Sequence, residues 1–162
     1  MSTEKDTMAR NHQRESATTL NLLKALPADQ ADLKPHAKSR TAKELAFVLA
    51  NQERFYTQAT AGIGDFALLA NPVPATMAEV IAAFEANSAA VDAAIAAASV
   101  EDLNQIMNFA GFDMRRIDVC GPTCSTWFIT AGRSRCMSVW RGARCLPSTG
   151  RLRIFRVSSS SV

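Results

Sequence analysis

The chain has 162 residues, 48% hydrophobic and 20% charged, which is ordinary for one soluble globular domain. It contains no run of about 18 apolar residues, and its opening "MSTEKDTMARNHQRES" is polar, so neither a transmembrane helix nor a signal peptide is read and a cytoplasmic protein is expected. The net charge of +3 hides a division: residues 1–114 carry 9 Lys and Arg against 14 acids, whereas residues 115–162 carry 9 Arg against the single acid Asp118.

The first element is a helix over "KDTMARNHQRESATTLNLLKAL". Met8, His12, Ser16, Thr19, Leu20, Leu23 and Leu26 recur there at three- and four-residue spacing, and Pro27 stops it. The loop "PADQADLKPHAKSR" follows. A second helix opens with the capping box Thr41 and Glu44 and carries Leu45, Val48, Leu49, Gln52 and Phe55 or Tyr56 in its stripe. "AGIGDFALLANPVPA" is punctuated by Gly and Pro, which predicts a loop with a short apolar segment over the bundle. The third helix opens with Thr76 and Glu79 and lines up Val80, Phe84, Ser88, Val91 and Ile95, with small residues on its other faces. Ser99 caps a short helical turn over "SVEDLNQIMNF", and "AGFDM" breaks the pattern.

These elements predict an all-α protein, an up-down four-helix bundle whose last helix is irregular or missing. Three amphipathic helices need a fourth to close their core. The stretch that should supply it, "DVCGPTCSTWFITAGRSRC", is interrupted by Gly and Pro and shows no helical stripe. Each large apolar side chain left uncovered forfeits about 1.5 to 3 kcal/mol. A marginal, aggregation-prone or dimer-dependent product is therefore expected, with a homodimer as the expected assembly.

Within "SATTLNLLKALPADQADLKPHAKSRTAKELAFVLANQERF", the pairs Leu26-Pro27 and Lys34-Pro35-His36, then Lys38-Ser39-Arg40 and Glu44-Leu45-Ala46, carry a family likeness. The chain resembles the DinB-like superfamily, damage-inducible four-helix bundles, over roughly Met8 to Val119. The resemblance implies a divalent metal, often Zn or Ni, held by three histidines, one on the second helix and two on the last. It also implies a lineage of metal-dependent enzymes of hydrolase or thiol-dependent transferase type. The second-helix ligand position falls on Val48, which cannot ligate, and no metal ligand is identified in the chain as encoded. The pocket candidates are His12, Glu15 and Gln52.

Relatives end their last helix in a motif like "HHRGQ", followed by "VPSIYGPSAD". Neither is present, yet both are permitted one base out of frame. Joining the last base of each codon to the first two of the next permits "VHHRGQ" from Trp127–Arg133, "WAHLLDM" from Cys120–Thr126 and "VPSIYGPSAD" from Arg144–Arg153, among the several residues that codon degeneracy allows at most positions. A one-nucleotide deletion, or a base missed in sequencing, near Val119–Cys120 is the reading this supports. It divides the chain into a DinB-like helical domain, residues 1–119, and an off-frame tail expected to be poorly ordered, residues 120–162.

Two other readings of the tail compete with it. Cys120, Cys124, Cys136 and Cys145 approach zinc-ligand spacing but lack a tight knuckle, and the arginines suggest a nucleic-acid partner. An off-frame reading of GC-rich DNA accounts for both compositions at once, so neither is preferred. The functional alternatives are a non-enzymatic helical stress-response or binding protein and a basic-tailed nucleic-acid binder. As encoded, no cofactor and no membrane are expected.

Overall fold

The computed structural model describes residues 2–34, 36–64, 71–109 and 111–120. Three long helices carry the fold: α1 (Glu4–Ala25), α2 (Ala42–Thr60) and α3 (Met77–Ala97). Each starts in a capping box, Thr3 with Asp6, Thr41 with Glu44 and Thr76 with Glu79. In each box the threonine hydroxyl accepts the amide three residues on, and the carboxylate accepts the threonine's own amide. The last two boxes are those the sequence announces, whereas the one at Thr3 starts α1 a residue early. Before Pro27, Leu26 is forced into extended backbone and α1 ends. Past the end of α2, Gly62 takes φ +81, and a Cβ there would lie 2.6 Å from the Arg116 guanidinium.

α2 and α3 form the most extensive pairing, and α1 leans chiefly on α3. The starts of α2 and α3 lie at the same end. Lys43 Nζ donates to the Ala75 carbonyl at 2.9 Å, and Ala46, Phe47 and Ala50 cluster with Met77, Val80 and Phe84. At the opposite end Phe55, Tyr56 and Ala59 cluster with Val91 and Ile95. α1 gives Leu23 to the first cluster and Met8 to the second, so it runs antiparallel to two parallel helices. This corrects the up-down order, which would set α3 antiparallel to α2. The 19 residues of α2 rise about 28 Å, and the residues between the two helices can reach about 50 Å, enough to return along the bundle. Residues 65–70, with the apolar segment of that connector, lie outside the described residues.

The deep line of α2 also differs from the expected stripe. Ala46, Phe47, Ala50, Gln52, Glu53, Phe55 and Tyr56 are buried, while Leu45, Val48 and Leu49 are half-buried. Small alanines take the closest position against α3 and displace the leucines sideways. On α3 the expected line Val80, Phe84, Ser88, Val91 and Ile95 is buried as read. By length and composition α3 is long and apolar enough to cross a membrane; here its line from Val80 to Ile95 is buried in the bundle, while most of its apolar stretch is not buried.

The second end is closed by short elements: α4 (Val100–Asn104), β1 (Ile106–Phe109), β2 (Phe112–Arg115) and α5 (Arg116–Cys120). Ser99 caps α4 as expected. The strands pair antiparallel, with Met107 opposite Met114 and Phe109 opposite Phe112, around Gly111 at φ +88. The described residues are mostly helical, consistent with the all-α reading, and add one two-stranded sheet that the reading did not include. Its signal is an alternation of period two, exposed Ile106, buried Met107, exposed Asn108, over too few residues to stand out. Leu103, Met107, Ile117 and Val119 bury here beside Phe55, and the Phe55 and Phe109 rings stand 5.5 Å apart. Arg115 forks onto Asp118 and reaches Glu4, fastening this end to the start of α1.

α5 packs on α2 and is helical through Cys120, the last described residue. The readings placed on residues 121–162, including Cys124, Cys136, Cys145 and the arginine-rich composition, lie outside the described residues.

Candidate functional site

The two apolar clusters do not merge. Between them a polar layer crosses the bundle, built from His12 and Ser16 on α1, Gln52 and Glu53 on α2, and Ser88 and Asp92 on α3. All but Asp92 lie between the apolar residues their helix gives to one cluster and those it gives to the other, and Asp92 directly follows Val91, the first α3 residue of the second cluster. His12 occupies the centre. Its side chain is 10% exposed, with Nε2 2.7 Å from Glu53 Oε2 and Nδ1 2.8 Å from Asp92 Oδ1.

Burial by itself would push the His12 pKa down. The hydrogen bond and charge of Glu53, followed by those of Asp92, outweigh it and hold the ring above its usual 6.5. Geometry points the same way. Two ionised carboxylates flanking one ring need two N–H donors, which only the imidazolium has, since a neutral imidazole donates once. With the ring protonated, the arrangement is an ion triplet spanning three helices.

Chemically, an imidazolium held at both nitrogens has no lone pair for a metal or for a substrate proton. Glu53 and Asp92 approach different ring nitrogens, so the three groups do not converge on one ion. Among the described residues no group of three or more His, Cys, Asp or Glu is placed to hold a metal. Val48, at the position where the resemblance expects a ligand, is half-buried and offers no donor atom. The described residues therefore do not fit a Zn or Ni site.

Of the three candidates read from the sequence, His12 is central and Gln52 is in the same layer. Gln52 is buried, but its amide donates along its own helix to the Tyr56 hydroxyl at 2.5 Å. Glu15 is not part of the site. It points outward and pairs with Arg14 at 3.2 Å, both side chains being well over half exposed. His36 lies in the exposed loop, where Nδ1 accepts the Lys38 amide at 3.2 Å.

Sequence reasoning missed both partners of His12. Asp92 had a signal, being the only charge between Glu85 and Glu101 in an alanine-rich helix. Glu53 had a weaker one, a carboxylate directly beside Gln52 in the stripe.

No curated protein matches the chain. The family model described as the DinB superfamily matches residues 12–121, from His12 through the end of α5, which is more than half of the chain. The match takes in α1 from His12 onward, all of α2 and α3, the polar layer and the closing elements, and the chain belongs to the DinB superfamily.

Proposed function

We propose that the chain as encoded is a metal-free and catalytically inactive member of the superfamily, descended from metal-dependent enzymes of hydrolase or thiol-dependent transferase type. The observation that carries this reading is the fate of the two histidines. His12 has both nitrogens engaged by carboxylates, and His36 sits in an exposed loop. A three-histidine centre cannot be assembled from them. The test is metal content of the purified full chain after exposure to Zn or Ni and dialysis against metal-free buffer. Far less than one metal per chain is expected, and one bound equivalent overturns the reading. If that equivalent disappears when Cys120, Cys124, Cys136 and Cys145 are replaced by serine, the cysteines of the tail are its source.

The frame reading joins this one. It is supported by the family match, which ends at residue 121, and by α5, whose Ile117 and Val119 are still buried at the α2 contact. Sequencing the DNA across the codons for Ile117 to Arg133 tests it. An alternate frame that does not read "HHRGQ", or that contains stops, sinks it.

A further inference from the structure

The long α2–α3 pairing leaves α1 as the more loosely held helix. Its buried apolar residues, Met8 and Leu23, lie towards its two ends. Lys5 donates to the Ala96 and Ala98 carbonyls near one end, and Lys24 pairs with Glu85 at 2.7 Å near the other. Along the inward face between them stand His12, Ser16 and Thr19, and His12 is bonded to both neighbouring helices.

We infer that His12 is a proton-operated clasp, fastening the middle of α1 to α2 and α3 when charged and releasing α1 from α3 at Asp92 when neutral. The order of release follows from burial. A neutral ring keeps one N–H, and Glu53, 11% exposed, has little water to replace it. Asp92 is 39% exposed and is solvated readily, so the remaining proton stays on Nε2 and a lone pair turns towards Asp92.

The other charges packed near α1 are engaged elsewhere. Arg14 and Glu15 pair on its outer side, and on α5 Asp118 is held by Arg115, which also takes Glu4. Arg116 bonds to Gln105 and the Thr60 carbonyl. The charges that act on the ring are Glu53 from α2 and Asp92 from α3, and together they raise its pKa.

In the full chain carrying H36Q, His12 is the one imidazole, and its ring protons report its titration directly by NMR. A midpoint above 6.5 is expected, moving down in H36Q/D92N. In parallel, urea unfolding across about pH 5.5 to 9 should show an unfolding constant rising by up to about tenfold per pH unit between 6.5 and the folded midpoint. That rise should vanish in H12Q. A midpoint at or below 6.5, a midpoint unmoved by D92N, or a pH dependence retained in H12Q each overturns the clasp. Should H12Q fail to fold, the D92N shift, at a side chain still 39% exposed, decides the matter alone.

Discussion

The two ends of the bundle reach similar burial by different means. At the end where α2 and α3 start, the core is helix against helix, with Phe84 at 1% and Ala50 at 0% exposure. At the other end helices alone do not close it, and Leu103 and Val119, both fully buried, arrive from five-residue helices beside a hairpin. A core made of long amphipathic helices is dictated by repeats within each helix, whereas a core closed by short elements depends on chain that only tertiary contact makes ordered. The polar layer separates the two.

The comparison is broken most forcefully in the cores themselves. Phe84→Ala should cost about 3 to 5 kcal/mol, and Leu103→Ala about 2 to 5 kcal/mol, in equilibrium urea unfolding of the full chain. If α4 were only a surface turn, Leu103→Ala would cost far less, and the second end would not be a core.

A smaller effect is expected at Gly62. Alanine there meets both the left-handed backbone and the Arg116 side chain, and a loss of about 1 to 2 kcal/mol should appear in the same unfolding assay. Smallest is Thr76→Ala, which removes one reciprocal cap from the first end and should cost about 1 kcal/mol, with the thermal midpoint as readout.

The pH profile sharpens the separation between ends and layer. His12 has a folded-state pKa above 6.5, so its contribution is complete below 6.5 and is lost as pH rises through the folded value. The cap carboxylates have the opposite sign. Hydrogen bonds from Thr3 hold Asp6 low, those from Ser99 hold Asp102 low, and the Thr41 amide does the same for Glu44. Their contributions are present above the usual 3.8 and 4.5 and are lost as pH falls through the lowered values. Stability should therefore peak between about pH 4.5 and 6.5, with the alkaline flank belonging to the layer and the acid flank to the helix starts.

Much of this architecture is legible in the sequence. Thr41 with Glu44 and Thr76 with Glu79 mark helix starts within four residues, and the line from Val80 to Ile95 is buried as spaced. Helix direction was missed although a sign was available. A connector as long as residues 61–76 exceeds what antiparallel neighbours need and fits a return along the bundle. The hairpin was missed because alternation over four residues is weak, even with Gly111 at the turn. The site was legible only in its centre. His12 lies 41 residues from Glu53 and 80 from Asp92, and nothing local couples them. Only the parallel placement of α2 and α3 brings both carboxylates to one ring.

The capping boxes carry a consequence for descent. Four helices, α4 included, begin with a hydroxyl and a carboxylate three residues apart that satisfy each other. Such starts are self-sufficient and owe nothing to distant chain. A lesion far downstream, whether a lost base or a truncated partner helix, takes away packing without erasing these local instructions. The fold can therefore outlive its chemistry: a gene damaged after α5 would go on specifying recognisable helices long after the site they once framed had gone.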